Sequence, residues 1–441
     1  MSFDLLLQNG TVVLPWGEVQ ADIGVRDGHI ATIGKNLGAA AQVFDVANLH
    51  VLPGVIDPHV HFRDGGMGGI AGVEDMRSGT LGAVLGGVTC VFDMPNTNPA
   101  ATDVENLTRK HDYIAGRAYC DVGIYVGANK ENIEQLGMME SMPGVCGIKV
   151  FAGSSTGNLL VEDDASIERV LRSGRRRVSF HSEDEYRLVE RKSRFSCGDP
   201  YSSHALWRDP ECAFLGTRRV AALAAKTGRP VHILHVSTEE EFGYLKDYRA
   251  LVTTEVLLNH LVQSAPDIYD RLGPYGVMNP PVRDERHRLA AWAAVADGTV
   301  DTLASDHAPH SKAAKEKPWP DCASGMTGVQ TLLPMMLEQV AQGRLSLLRL
   351  VDLMCAGPAR VYGAVNKGRI AAGYDADFSI VDLRAARRIE KSWIASQCGW
   401  TPFEGVSCTG WPVASVVRGQ IVMRDGAVEG EPLGRAMSFR S

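Results

Sequence analysis

The 441-residue chain is missing several features that would classify a protein at once. Its nine cysteines are scattered, odd in number and form no Cys-x-x-Cys, which excludes a disulfide framework and a thiolate zinc site. No stretch approaches the ~20 apolar residues that a membrane helix needs. The opening Met1-Ser-Phe-Asp-Leu-Leu-Leu-Gln-Asn9 has no basic start and too short an apolar run for a signal peptide, so a cytoplasmic protein is expected. Excess positive charge is absent too: the net charge is −7, which argues against nucleic acid as the main partner. The one basic run, Arg172 with Arg175, Arg176 and Arg177, reads as a solvated helix end. No Gly-x-Gly-x-x-Gly follows an early strand, and neither an internal repeat nor a low-complexity segment is evident.

What is present is an ordinary globular composition, 45% hydrophobic and 22% charged, long enough for about two or three domains. Residues 1–51 read as short strands, Asp4–Gln8, Thr11–Leu14, Glu18–Arg26, His29–Ile33 and Gln42–Asp45. Asn9-Gly10, Trp16-Gly17 and Asp27-Gly28 between them are hairpin signals. The texture returns in residues 368–441, where Gly368–Asp382 reads as strand-turn-strand and Val413–Arg418 and Gln420–Arg424 flank Gly419. Neither end is large enough to bury a core alone, so the two are expected to pair into one small β-sandwich.

Between them, residues 52–367 alternate short apolar strands with longer helical segments. The strands are Val51–His59, Val88–Met94, Asp121–Gly127, Gly147–Phe151, Val178–His181, Val231–His235, Leu251–Val256 and Thr302–Asp306. Helices are expected at Val104–Ala118, Glu211–Thr227, Glu239–Tyr248 and Asp284–Ala296. Eight such strands predict an α/β fold, a (β/α)8 TIM-like barrel, with a doubly wound open sheet as the alternative.

Functional residues of such a barrel gather at the C-terminal ends of its strands. Strand side chains alternate faces, so His59 and His61 point the same way at the end of the first strand, with Asp57 before them and Arg63 after. The fourth strand carries Lys149 in an apolar run, the fifth ends at His181, the sixth at His235 and the eighth at Asp306. Singly, each has an unremarkable structural explanation; jointly, at one rim, they suit two divalent metals such as zinc. An ammonium is no ligand. If burial lowers its pKa, however, the Lys149 amine can take up carbon dioxide and become a carbamate with one oxygen for each metal. Two metals would share a hydroxide of lowered pKa, and the carboxylate of Asp306 would orient it and shuttle its proton.

Ordered motifs extend this pattern along the chain: Asp57-Pro-His-Val-His-Phe-Arg63, Met94-Pro-Asn-Thr97, Gly147-Ile-Lys149, Phe180-His-Ser-Glu183, Leu234-His-Val-Ser237, Met278-Asn-Pro-Pro281 and Ser305-Asp-His-Ala-Pro-His310. With them the chain resembles the cyclic amidohydrolases of the amidohydrolase superfamily, and among these the dihydroorotases. The resemblance implies one metal held by His59, His61, Lys149 and Asp306, and a second held by carboxylated Lys149, His181 and His235. Asp306 would be the general acid/base. Arg63, Asn96 and His310 would contact a substrate carboxylate, and Asn279 would read the amide edge of the ring. The implied reaction is reversible opening of L-dihydroorotate to N-carbamoyl-L-aspartate in pyrimidine synthesis. A homodimer, and association with aspartate transcarbamoylase, are implied with it.

Physical chemistry separates the family members. A ring carboxylate needs a fixed cation, which Arg63 offers and an uncharged hydantoin or allantoin does not require. Hydantoinase or allantoinase activity is the alternative, and a metal-free scaffold the more distant one. In this chain Gly65-Gly66 opens a loop to Gly72 where relatives carry Pro, and Val73-Glu74 stands for the common Lys-Glu. Such a loop is expected to be flexible. Gly153–Leu160 reads equally as a mobile lid or a static loop. His111, His204, His232, His287 and His307 have no place in the constellation, and His260 lies near the rim.

Overall fold

The computed structural model describes residues 2–155 and 159–440. It contains two sheets. One is built from both chain ends: β1 (Phe3–Leu14), β2 (Gly17–Arg26), β3 (His29–Gly34), β4 (Ala40–Asp45) and β5 (His50–Pro53) come first. The other is the barrel: β6 (Val55–Val60), β7 (Val88–Asp93), β8 (Asp121–Gly127), β9 (Val145–Phe151), β10 (Val178–His181), β11 (Val231–Ile233), β12 (Val252–Leu257) and β13 (Thr302–Ala304). The chain then returns to the first sheet with β14 (Phe378–Arg388), β15 (Ser407–Val417), β16 (Gln420–Arg424) and β17 (Ala427–Val428).

The barrel strands pair in chain order, all parallel. Closure comes from beyond the strand ends, where the His61 N–H donates to the His307 carbonyl at 2.7 Å and Val60 bridges His307. Residues of β6 to β11 are buried on both faces, which is why these strands appear in sequence as continuous apolar runs rather than alternating ones. Helices Val104–Ile114, Asp164–Arg172, Pro210–Thr227, Glu239–Leu245 and Glu285–Ala296 each start at a side-chain cap, from Asp103, Asp163, Asp209, Thr238 and Asp284. Their apolar faces and the outward side chains of the strands make one large core. The end sheet encloses a second, smaller core that includes Leu5, Val12, Ile23, Val51, Phe378 and Val416. The fold is therefore the expected barrel with a β-domain from both chain ends. No described helix is long and apolar enough to cross a membrane.

Several local expectations are corrected. Val51–His59 is not one strand: β5 belongs to the end sheet, pairing with β1 and β14, and β6 to the barrel. The break is Gly54, where a Cβ would lie 2.2 Å from Thr89 Oγ1 and 2.7 Å from Asp377 Cβ. Asn9-Gly10 is a bulge inside β1 rather than a hairpin. Asn9 adopts φ 65° and donates to Asp22 and Asp45, so β1 pairs first with β4 and then with β5. Residues 368–377 are turns, because Asp375 and Asp377 are drawn onto the Lys367 ammonium at 2.8 and 2.5 Å. The basic run is not simply solvated: Arg176 donates to the carbonyls of Glu140 and Val145, and Arg177 to those of Val231 and Leu251, tying together the entries of the barrel strands.

Candidate active site

Barrel topology alone brings the named strand ends to one rim. His59 is the penultimate residue of β6, and its Nδ1 lies 2.8 Å from Glu255 Oε1 on β12. That carboxylate holds the proton on Nδ1 and leaves the Nε2 lone pair free. His61 is treated the same way by Asn96, whose Oδ1 lies 2.7 Å from Nδ1. Both Nε2 atoms point at Asp306 Oδ1, at 3.3 and 3.1 Å. Across the rim His181 Nδ1 faces His235 Nε2 at 3.0 Å, with ring centroids 4.7 Å apart. Glu183 Oε2, 3.0 Å from His181 Nε2, favours a proton there and a lone pair on Nδ1. His59 and His235 rings stand 5.5 Å apart, so the four imidazoles form one cluster.

Backbone strain concentrates at these strand ends. Arg63, His235 and Asp306 have φ of 61°, 40° and 46°, the left-handed region that residues with a Cβ seldom occupy. The turn is what swings each side chain from the strand axis toward the centre.

Burial and charge set the ionisation states. Burial lowers the pKa of His61 to about 3 and depresses His181 and His235 as well, so these three imidazoles are in their neutral, ligating form. Burial would raise Asp306, but His59, His61 and Lys149 hold it well below the usual carboxylate range, as an anion. Lys149 is 1% exposed, its Nζ 4.6 Å from the centre of the Phe151 ring. Burial brings it to about 7, against the pull of Asp306 and Glu255, so a substantial share is free amine near neutrality. Neutral imidazoles with converging lone pairs, an anionic carboxylate and an amine able to become a carbamate form a donor set that fits divalent metals such as zinc.

Arg63 closes one side of the same cavity. Its buried Nη1 has no hydrogen-bond partner, and Nη2 lies 3.3 Å from His310 Nε2. Burial lowers its pKa to about 10, which leaves it a cation at neutral pH. His310 contacts the Ser324 carbonyl at 3.0 Å and Arg63, but stands behind the cavity wall that Arg63, Asn96, Asn279 and the metal-type residues line.

The structure adds residues that the sequence reading passed over. Glu255 is the hidden support of His59; its signal was a carboxylate within an apolar strand, the same signal that singled out Lys149. Glu183 is clamped by Arg208, both buried. His204, thought to have no place, accepts from Trp319 Nε1 and lies 2.8 Å from Asn279 Oδ1, which leaves the amide NH2 of Asn279 for the cavity. His307 contacts Glu74 at 3.0 Å, so the Val73-Glu74 departure keeps its acid at work. The Gly65–Gly72 loop is tethered rather than loose: Asp64 Oδ1 accepts from the N–H groups of Gly66, Met67 and Gly68. Of the expected lid, residues 156–158 lie outside the described residues, while Ser155 lines the cavity.

Known proteins agree with this geometry. The model of the amidohydrolase family matches residues 50–422. A dihydroorotase of Methanothermobacter thermautotrophicus is 34% identical over 429 residues, 97% of this chain and 95% of that protein. An allantoinase of Deinococcus radiodurans is 31% identical over the full length of both chains, 100% of each. Among solved structures, an L-hydantoinase (dihydropyrimidinase) from Arthrobacter aurescens has a TM-score of 0.92 at 27% identity, covering 99% of this chain and 100% of its own. The chain belongs to the amidohydrolase family and is a metal-dependent cyclic amidohydrolase.

Proposed function

We propose that the protein is a dihydroorotase, opening the cyclic amide of L-dihydroorotate to N-carbamoyl-L-aspartate and closing it again. The observation that carries this reading is Arg63: a buried guanidinium with an unused N–H, in the wall of the cavity that holds the metal-type residues. A buried guanidinium N–H without an acceptor is costly, and a ligand carboxylate is an acceptor that offsets the cost. Asn96 and His310 stand beside it. Curated relatives that carry the name dihydroorotase support the same reading.

His59, His61, Lys149 and Asp306 would hold one metal, and His181, His235 and the carboxylated Lys149 the other. When bound, such metals supply Lewis acidity that lowers the pKa of water and polarises a carbonyl. Asp306, an anion held between two imidazoles, takes the proton of the attacking water and returns it to the departing ring nitrogen. In the closing direction the same carboxylate receives that nitrogen's proton. Asn279, oriented by His204, donates its amide N–H to a ring carbonyl. Arg63 anchors the carboxylate, so that the amide meets the metals in one orientation.

Hydrolysis of an uncharged cyclic ureide is the second reading, favoured by the allantoinase relative and the L-hydantoinase structure. Rates on L-dihydroorotate, hydantoin and allantoin decide between them, measured on protein supplied with zinc and bicarbonate. Strong preference for dihydroorotate is expected. Activity on uncharged rings alone would overturn the carboxylate assignment and keep the metal residues.

A further inference from the structure

A second concave region lies at the opposite end of the barrel. Cys146 near the start of β9, Arg177 just before β10 and Pro230 just before β11 line a cavity of ≈ 690 Å³, together with Arg175, Arg360 and Arg440. That is the size of sites that enclose small organic ligands. A smaller neighbouring cavity shares Arg360 and Arg440 and adds Arg369. These arginines arrive from separate segments: the loop before β10, the helix Gly357–Tyr362, the turn after it and the C-terminal residues.

Their charge is uncommitted. Nearly every other arginine of the protein is bonded to a carboxylate or a carbonyl or stacked on a ring, whereas Arg175, Arg369 and Arg440 are exposed and, among the described residues, make no side-chain hydrogen bond, ion pair or ring contact. Arg360 reaches only Asp352, at 3.3 Å, and shares it with Arg349. Arg176 and Arg177 spend their terminal nitrogens on carbonyls, and the buried Nε of each has no partner. The acids of the cavity are already taken: Glu140 by Arg229 and by the N–H groups of Arg175 and Arg176, Glu134 by Arg169. A hollow ringed by exposed guanidinium groups, in a chain of net charge −7, attracts anions, most strongly those of more than one charge. Guanidinium forks match phosphate oxygens two at a time.

We propose that this cavity binds a small phosphate-bearing anion of about the size of a nucleoside diphosphate, at the end of the barrel away from the reaction centre. Calorimetric titration of the metal-loaded full-length protein with inorganic pyrophosphate and with ADP, in magnesium-containing buffer, tests it. Saturable 1:1 binding is expected, weakening as salt rises, and falling at least tenfold in R175A/R440A while the cyclic-amidohydrolase rate stays at the wild-type level. R175K/R440K should lie between, because charge remains without the fork. Equal affinities would assign the site to the phosphates alone; tighter ADP binding would add a contact to the nucleoside. No saturable binding to the wild type, or binding unchanged in R175A/R440A, would overturn the proposal.

Discussion

His59, His61 and Asp306 bring their ligand atoms within 4.8 Å of one another, and so do Cys90, Asp121 and Asp377. Both clusters are buried, and by proximity alone both could hold a metal ion. They differ in what surrounds them. At the second cluster, where the barrel meets the end sheet, the Lys367 ammonium sits 2.7 Å from Asp121 and 2.5 Å from Asp377, and Arg418 pairs with Asp121 as well. Burial pushes the Cys90 thiol well above its ordinary pKa, which keeps it protonated. The charge there is already compensated from within. At the rim, Glu255, Asn96 and Glu183 take the outer nitrogens of His59, His61 and His181, and the only lysine at hand among the described residues, Lys149, is one whose own charge is suppressed by burial. The lesson is that a cluster of ligand types becomes a candidate metal centre only where no internal cation fills it.

The comparison can be broken by exchanging those features. Lys149→Ala removes the amine that the proposed carbamate bridge requires and should lower the rate about a thousandfold or more, the several kcal/mol that metal chemistry supplies, with bound metal falling in parallel. A small carboxylic acid should restore part of the activity, and full activity without one would remove the carbamate. At the second cluster, Lys367→Met should leave metal content and rate unchanged but cost about 3–5 kcal/mol of stability, because two buried carboxylates lose their counter-charge. Denaturant titration reads this effect, and a loss of metal instead would mean that the two clusters are not distinct in function.

Smaller effects sharpen the contrast. Arg63→Ala should reduce kcat/KM on dihydroorotate by roughly 10- to 100-fold, as for loss of a hydrogen bond to a charged group, and change hydantoin hydrolysis little. Equal losses on both would place Arg63 in the scaffold. The last test is acid. Burial, with Arg208 beside it, lowers His204 to about 3, and burial lowers His260 to about 4. Both are neutral in the fold and take up a proton on unfolding below about 6.5, so their stabilisation is complete above that pH and is lost as the pH falls toward 4 and then 3. Unfolding free energies at pH 7 and pH 5 should differ by about 1–2 kcal/mol per imidazole, lower at pH 5; a flat profile would show these groups solvated.

Much of this was legible in sequence. The barrel strands are short apolar runs because parallel strands are buried on both faces, and Val178–His181 and Asp121–Gly127 match the structure end to end. Asp27-Gly28 makes the expected tight hairpin, both residues at positive φ. Asn9-Gly10 carries the same signal and makes a bulge instead, because Asp22 and Asp45, brought by other strands, capture Asn9. Gly54 gave no warning of the strand break, since what it avoids is Thr89 and Asp377. Among the candidate site residues, His59, His61, His181, His235 and Asp306 were visible as polar residues at strand ends, and Lys149 as a lysine within an apolar strand. Glu255 and His204 were not, because their task is to hold a side chain that is distant in sequence.

The sequence by itself determined which ligand types occur, in what order, and that they reach one rim, because strand period and barrel topology follow from local patterning. Only the tertiary structure decided their chemical state. The proton on His59 is placed by Glu255, 196 positions away, and the amine of Lys149 is brought to about 7 by the packed interior around it. It also decided that Cys90, Asp121 and Asp377 are a sealed ion cluster, through a lysine 246 positions beyond Asp121. Ionisation depends on burial and on charges within a few ångströms, and those neighbours exist only once the chain has folded.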